Sequence, residues 1–384
     1  MSVLIEDSPR AYLANWITEA FANQVARGAV MTPWATPWLT HPGQGKKPCA
    51  QDRVQQLQAS GVPVMFDPMT HVLQMSGVGD FRYYDEYDLW SGPRGDLSDA
   101  ALREEHVGKV FQLQDELGVP HLAPTLLLHA GLGNTSALSL ELAREAIRRD
   151  PTCTLAIAGT APFWASQAAL DAHIGALAAL QPSAWVLTVV RIATALPVTI
   201  LPEEVHGLCR TSRALSEDAP VHISHGDLAA LPAVAAGAAT VGSGWDQRQR
   251  ACSYGDYGAR DPNAGGGGWY ARPTLRGLLG SVSANEAIVL EARDSALVAR
   301  LGGLPAPGPR ETFDHHLTIL TRVIGDLQTE PDPERRYRKL MERYSAAQSN
   351  WPIVARHANT AFGAKEWIDG VAAGLALYGV TEGW

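Results

Sequence analysis

Short apolar runs alternate with helical patterns over most of this chain. Seven runs have the character of buried strands, at 28–32, 62–66, 121–128, 154–158, 184–190, 221–224 and 239–241. Helical patterns lie between them, at 52–59, 101–117, 136–149, 202–215 and 228–236. This alternation predicts an α/β fold with a parallel sheet. We expect a (β/α)8 barrel over residues 1–300, with its eighth strand either within 72–90 or after the glycine run 265–268.

Residues 301–384 are predicted to form a helical C-terminal extension. A glycine pair and the proline-rich segment 305–309 are typical of a linker. Two helical patterns follow, at 311–327 and 333–347. The second is locally basic, which fits either a solvated helix face or contact with phosphate.

Composition places the chain among globular proteins, since 46% of its 384 residues are hydrophobic and 18% are charged. Its apolar runs are too short for a membrane span, and no signal peptide is evident at its start. Four scattered cysteines fit reduced thiols, so we expect a cytoplasmic protein without a membrane partner. A net charge of −9 argues against nonspecific coating of nucleic acid.

The most informative stretch, 220–250, is a predicted strand, loop, helix and strand. A right-handed crossover makes the two strands parallel neighbours. In a parallel barrel the carboxyl ends of the strands form the active site. We therefore expect His225, Asp227, Trp245 and Asp246 to share one rim.

Histidines and one aspartate form a candidate binding group: His71, His222, His225 and Asp227. Three interpretations remain open, namely hydrogen bonding to substrate, a structural cap for the next helix, and metal binding. Asp227 is well placed as an N-cap. The spacing is not a zinc signature, and we predict no metal and no cofactor.

Aromatic and basic residues lie beside the predicted rim. Trp34 and Trp245 offer flat faces for a base, while Arg248 and Arg250 begin a segment rich in arginine, glycine and aromatic residues. Such a segment fits contact with a sugar-phosphate backbone. A core role for the aromatics, and a plain surface loop, are the alternatives.

Two stretches resemble the tRNA-guanine transglycosylase superfamily. GAVMTPWATP is similar to that family's first strand, and HISHGDLAALPAVAAGAATVGSGWDQRQR is similar to its last two barrel strands. The resemblance implies a barrel that cuts the N-glycosidic bond of a base within a polynucleotide. It places Asp246 in the region of the catalytic aspartate, followed by Arg248. It also likens Asp67 to an aspartate that serves in acid/base chemistry.

Departures from this family shape the functional hypothesis. The chain lacks the family's cysteine-rich zinc cluster, and 184–197 has no counterpart of its glycine-rich base-binding run. We therefore predict a base-excising glycosylase that transfers the sugar to water, acting on a modified base in DNA rather than RNA, with a role in phage defence. The alternatives are a base-exchanging transglycosylase on tRNA or DNA, a small-molecule barrel lyase or hydrolase, and a catalytically silent scaffold. The oligomeric state stays open.

Glycosidic cleavage creates positive charge at the sugar, which calls for a nearby carboxylate and a second group to protonate the leaving base or activate water. Asp67 and Asp246 are the predicted catalytic pair. Asp67 is alternatively a turn residue before Pro68. Asp246 is alternatively a surface carboxylate paired with a neighbouring arginine.

Overall fold

Eight parallel strands form the centre of the protein. The computed structural model describes residues 2–8, 10, 12–36, 38–40, 48–74, 87–91, 95–191, 200–253, 272–358 and 363–384. The strands are β1 (Val3–Glu6), β2 (Gly28–Met31), β3 (Val64–Phe66), β4 (Leu127–Leu128), β5 (Thr154–Thr160), β6 (Ala184–Arg191), β7 (Val221–Ser224) and β8 (Thr240–Ser243). Their order in the sheet is β3-β2-β1-β8-β7-β6-β5-β4.

This order is that of a (β/α)8 barrel, because each strand except β3 pairs with the next strand in sequence, and β8 pairs with β1. Helices separate the strands: α1 (Leu13–Ala22), α2 (Ala50–Ala59), α3 (Ala100–Leu117), α4 (Asn134–Arg149), α5 (Ala161–Trp164), α6 (Ala168–Ala178), α7 (Pro202–Leu215) and α8 (Leu231–Ala236). The barrel predicted from the alternation of strands and helices is confirmed.

The eighth strand is β1, so both positions expected for it are wrong. The run VLIE pairs with β2 on one side and β8 on the other, which places it in the middle of the sheet. Residues 70–74 form a 3-10 helix instead. The rest of the two expected regions lies largely outside the described residues, at 75–86 and 254–271. A short run directly followed by acids resembles a polar chain terminus, which is why the pattern alone did not mark it as a strand.

The predicted strand 121–128 is also too long. Only Leu127–Leu128 forms a regular strand, and Leu122 makes an isolated bridge to Thr154. Pro124 lies between these two pairings and lacks the N–H that a continuous ladder requires.

Side chains join β3 to β4, between which the described part of the chain shows no ladder pairing. Gln114 on α3 donates from Nε2 to the carbonyl oxygens of Phe66 and Leu122, at 3.0 Å each. Its Oε1 accepts from the N–H of Leu122 at 3.1 Å. The Thr70 hydroxyl donates to the Thr125 carbonyl at 2.9 Å and accepts from its N–H at 3.0 Å. These bonds satisfy backbone groups that the missing ladder leaves open.

The part of the chain beyond β8 that the structure describes is mainly helical, and the helical character predicted for 301–384 is confirmed. Its elements are α9 (Gln247–Arg250), β9 (Cys252–Ser253), β10 (Thr274–Leu275), β11 (Gly280–Ser281), α10 (Ala284–Arg293), α11 (Ser295–Arg300), α12 (Pro309–Gln328), α13 (Pro333–Ala358) and α14 (Gly363–Glu382). The last two helices pack on α7 and α8. None of the helices in the described ranges combines the length and apolarity needed to cross a bilayer.

Helix α12 covers the barrel between α1 and α8. It contacts both α8 and β1, and the ring of Phe313 lies 5.5 Å from that of Trp16 on α1. This is the place of the last helix in a (β/α)8 barrel. The domain boundary at residue 300 stays a prediction, and the helix that follows it takes part in the barrel's outer layer.

Candidate active site

Polar residues end several strands at one mouth of the barrel. Glu6 is the last residue of β1, Asp67 directly follows β3, and Ser224 and Ser243 end β7 and β8. Parallel strands bring their carboxyl ends to the same face, which is where barrel enzymes place their chemistry. We call this face the mouth.

Glu6 is the central carboxylate of the mouth and is 1% exposed. Its Oε1 accepts from the Ser224 hydroxyl at 2.9 Å and from the backbone N–H of His225 at 3.0 Å. Gly242 allows this approach, because a Cβ there would overlap Oε1. Glu6 was not among the residues predicted from the sequence, although VLIED, like β3 and Asp67, is an apolar run that ends in an acid.

Asp67 lies beside Glu6 in the barrel interior. Its Oδ1 accepts from the N–H of Met69 at 2.7 Å, so the predicted turn role is real. Burial raises the pKa of Asp67 to about 6, and the negative charge of Glu6 adds to the shift. Both carboxylates and Ser224 line an interior cavity of about 10 Å³, which has room for a single water.

His225 lies beside Glu6, and its charge acts on Asp67. Its Nδ1 lies 2.8 Å from the carbonyl oxygen of Arg248, and its Nε2 lies 3.8 Å from Oε2 of Glu6. The residue has a φ of 49°, a strained conformation of the type found at functional sites. His71 is buried nearby, and burial together with the charge of His225 lowers the pKa of His71 to about 3.

A buried ion pair extends the mouth beyond Glu6. Nε of Arg53 on α2 lies 3.7 Å from Oδ2 of Asp7, and both side chains are fully enclosed. Burial raises the pKa of Asp7 to about 6 against the opposing effect of Arg53, and the Asp246 charge contributes to the rise. Asp7 and Arg53 were not among the residues predicted from the sequence.

Asp246 caps the short helix α9. Its Oδ1 accepts from the N–H groups of Arg248 and Gln249 at 3.1 and 3.3 Å, and Gln249 completes a capping box. The charge of Glu6 acts on Asp67, and the charge of Asp246 acts on Asp7. The two predicted catalytic aspartates therefore lie near two consecutive residues of the chain, Glu6 and Asp7. Asp246 therefore lies at the mouth and also orders the backbone after β8.

Two tryptophan–arginine stacks border the mouth. The guanidinium carbon of Arg248 lies 4.4 Å from the centre of the Trp34 ring, and that of Arg10 lies 4.4 Å from the Trp245 ring. Trp34 and Arg248 are partly exposed, whereas Trp245 is buried.

Asp227 and Arg250 belong to a separate buried network. Arg250 donates from Nε to Oδ2 of Asp227 at 2.8 Å, and His316 on α12 lies 2.9 Å from Oδ1. Burial opposes ionisation, but the charges of Arg250 and His316 outweigh it and hold the pKa of Asp227 well below its usual range. The cap interpretation of Asp227 is wrong, because Gly226 is the N-cap of the 3-10 helix Asp227–Ala230.

His222 lies nearer the amino ends of the strands, and it lines the interior cavity that Glu6 and Asp67 also line. Its Nδ1 contacts Oγ1 of Thr240, the first residue of β8. Burial and the charge of Arg27, which precedes β2, lower the pKa of His222 to about 4. These neighbours belong to the amino ends of strands, so the structure does not bring His222 together with His71 and His225. Within the ranges that the structure describes, no three His, Cys, Asp or Glu side chains are placed to hold a metal ion.

Comparisons with known proteins assign no family. No protein-family model and no curated protein matches the sequence. Among solved structures, the Thermobacillus composti GH10 xylanase is 11% identical with a TM-score of 0.33, over 58% of this chain and 67% of that one. A psychrophilic GH10 endo-β-1,4-xylanase is 8% identical with a TM-score of 0.34, over 61% and 81%. The D-allulose 3-epimerase from Methylomonas sp. is 11% identical with a TM-score of 0.27, over 59% and 74%.

TM-scores this low do not support an argument about the fold. The assignment of the barrel therefore rests on the strand order observed in this chain. The resemblance to tRNA-guanine transglycosylases stays a prediction.

Proposed function

We propose that this chain is a barrel hydrolase that cleaves a glycosidic bond of a small molecule, with Asp67 as proton donor and Glu6 as the charged partner. The observation that carries the proposal is the pairing of these carboxylates at the mouth in unlike surroundings. Oε1 of Glu6 accepts two hydrogen bonds, whereas burial raises the pKa of Asp67 to about 6. Two carboxyl groups with unlike environments are the usual acid and base of glycoside cleavage.

The reaction balances with these two groups and water. The bond between the anomeric carbon and the leaving atom breaks, and the leaving atom takes the proton of Asp67. The negative charge of Glu6 stabilises the positive charge that develops on the sugar ring. Water then adds its oxygen to the anomeric carbon, and the proton it loses restores the protonated state of Asp67 by way of solvent.

The charge of the mouth supports a small substrate over a long polyanion. Glu6, Asp7, Asp67 and Asp246 share this face, and Arg53 is already paired with Asp7. Phosphates on a polynucleotide would meet this negative field at close range.

Base excision from DNA is the second candidate, and the two tryptophan–arginine stacks favour it. Flat cationic and aromatic faces such as Arg248 on Trp34 suit an extruded base and its flanking backbone. The phage-defence role belongs to this candidate only.

The test is a substrate panel of aryl glycosides, nucleosides and DNA that carries modified bases, read by mass spectrometry of released products. Asp67→Asn and Glu6→Gln are each expected to lower turnover by about 10²–10⁴-fold. Asp218→Asn, an exposed residue between α7 and β7, is the matched control and keeps wild-type turnover.

Release from small glycosides or nucleosides that depends on both carboxylates supports the proposal. Release from DNA alone moves the assignment to the second candidate. A wild-type protein that cleaves no member of the panel, or variants that match it, would overturn the glycosidase assignment.

A further inference from the structure

We propose that His225 accepts the proton of the attacking water through Nε2, with Glu6 holding the other hydrogen of that water. This role rests on the hydrolase function proposed above and goes beyond it, since it adds a base to the carboxylate pair. Three features of His225 support this role: its tautomer, its distance from Glu6 and the backbone conformation that fixes it.

The tautomer of His225 follows from its partner. Nδ1 lies 2.8 Å from the carbonyl oxygen of Arg248, and a carbonyl oxygen only accepts. Nδ1 must therefore carry a hydrogen. In the neutral ring this leaves Nε2 with a lone pair, which is the form that a general base requires.

The lone pair of Nε2 lies close to a second acceptor. Nε2 is 3.8 Å from Oε2 of Glu6, too far for a direct hydrogen bond. Within the described structure Oε2 is a buried oxygen without a hydrogen-bond partner. A water that donates one hydrogen to each acceptor bridges this distance. Because both of its hydrogens are then engaged, its oxygen lone pairs point away from the two acceptors and are available for attack.

The backbone holds His225 in this position at a cost. Its φ of 49° is unfavourable for a residue with a side chain. Gly226 follows it, and a Cβ there would lie 2.6 Å from Cβ of Ala230 and 2.8 Å from Cγ2 of Ile223. Strain that the surroundings maintain is typical of catalytic loops.

Asp246 is a positioning residue, which acts through the contact between the Arg248 carbonyl and Nδ1 of His225. It accepts from the N–H of Arg248 at 3.1 Å and caps α9, the helix whose Arg248 carbonyl fixes His225. This gives the aspartate predicted from the sequence a role that needs no contact with the reacting atoms.

In the balanced step, the oxygen of the bridging water forms its bond to the anomeric carbon. One proton of that water moves to Nε2 of His225, while the leaving atom takes the proton of Asp67. Solvent then carries the proton from His225 back to Asp67. Direct attack by water inverts the anomeric configuration.

The test compares His225→Asn with wild type on the panel substrate that wild type cleaves. Asparagine tolerates a left-handed backbone and its amide can donate to the Arg248 carbonyl, but it offers no acceptor at the Nε2 position. We expect kcat to fall about 10²–10⁴-fold with KM unchanged, and the pH profile of kcat to differ from that of wild type. His206→Asn, a substitution on α7 at a histidine that contacts Thr381, is the control and keeps wild-type kinetics.

Other titratable groups share these surroundings, so the profile is read as the difference between variant and wild type. The charged and titratable side chains that face His225 come from several elements: Glu6, Asp67, His71, Arg191, Glu204 and Arg250. Wild-type kcat and an unchanged profile in His225→Asn would overturn the inference while leaving the hydrolase assignment in place.

A second measurement does not depend on activity. Long-range ¹H–¹⁵N correlation spectra, with His225→Asn to assign the signal, report which ring nitrogen carries the hydrogen. A hydrogen on Nδ1 with bare Nε2 is expected. A hydrogen on Nε2 of the neutral ring would overturn the inference even if no panel substrate is cleaved.

Discussion

Nε2 of His316 lies 2.9 Å from Oδ1 of Asp227, and this contact fastens α12 to the loop after β7. The same nitrogen is 3.0 Å from Oγ of Ser243, while Nδ1 is 2.8 Å from Oγ1 of Thr274. A catalytic Ser–His–Asp triad uses one ring nitrogen for serine and the other for aspartate. Because one nitrogen here contacts both, this buried cluster is a structural link between α12 and the barrel.

Removing the charge of Asp227 is expected to destabilise the protein strongly. Asp227→Asn leaves Arg250, which is 5% exposed, without its buried carboxylate. The loss of one partner of a buried ion pair costs about 3–5 kcal/mol. Urea unfolding at pH 7 measures this change in the free energy of unfolding. Asp218→Asn is the control, within about 0.5 kcal/mol of wild type, and a similarly small effect in Asp227→Asn would contradict the structural role.

Gln114 is expected to be as important to the barrel as a strand pairing. Gln114→Leu keeps a buried side chain of similar size. It removes the hydrogen-bond partner of the Phe66 and Leu122 carbonyl oxygens and of the Leu122 N–H. Each unpaired buried group costs about 1–3 kcal/mol.

Unfolding in urea measures the loss in the free energy of unfolding of the whole protein. Hydrogen exchange measures the local loss of stability. We expect faster exchange of the Leu122 amide in Gln114→Leu. Gln112→Leu, on the exposed side of α3, should change neither quantity. If exchange at Leu122 were unaffected, other contacts would have to hold β3 and β4 together.

The strands that could be predicted from sequence are those whose apolar runs stand between clear helices. The run 221–224 is predicted and observed with the same bounds. The run that forms β1 has equal apolar character, but its position beside the chain terminus hides its pairing, which depends on contacts with residues 28–30 and 241–243. Long-range pairing of this kind leaves no periodic signal in a single sequence.

The residues of the candidate site could likewise be predicted only where a local sequence pattern marks them. Asp67 could be found because an acid directly after an apolar run is a local pattern. Glu6 ends an apolar run in the same way, but that run is not predicted to be a strand, so the pattern does not extend to it. Arg53 could not be found, since its importance comes from burial beside Asp7, which only the fold brings close. Asp227 has the right local pattern for a rim residue, but its partner His316 lies on a helix far along the chain.

Asp67 is expected to lower the stability of the protein at neutral pH. Burial raises its native pKa to about 6, above the ordinary value of 3.8, so between these values the native state binds more protons than the unfolded state. Its contribution to stability therefore falls as pH rises from about 4 to 6. Asp67→Asn keeps the acceptor for the Met69 N–H and removes the buried charge.

We expect Asp67→Asn to be more stable than wild type by about 1–3 kcal/mol at pH 7.5, with the gain shrinking towards zero at about pH 4. Denaturant unfolding of both proteins across this range measures the difference. Asp218→Asn should show no such pH dependence. A constant difference between Asp67→Asn and wild type at every pH would mean that the native pKa of Asp67 is not raised.

Gly242 is expected to be essential for activity because it makes room for Glu6. In Gly242→Ala the new Cβ would overlap Oε1 of Glu6 and lie 2.8 Å from the backbone nitrogen of His225, so both must move. A displacement of about 1 Å at a reacting centre can lower turnover roughly 100-fold. Overpacking also lowers the free energy of unfolding by about 1–3 kcal/mol.

Turnover of the panel substrate and urea unfolding together separate these two effects. Gly175→Ala on α6 is the matched control, since its Cβ meets nothing within 4 Å, and it should raise stability by about 0.5–1 kcal/mol with wild-type turnover. Undiminished turnover in Gly242→Ala would show that the position of Glu6 does not limit the reaction, and the carboxylate pair would lose its place in the mechanism.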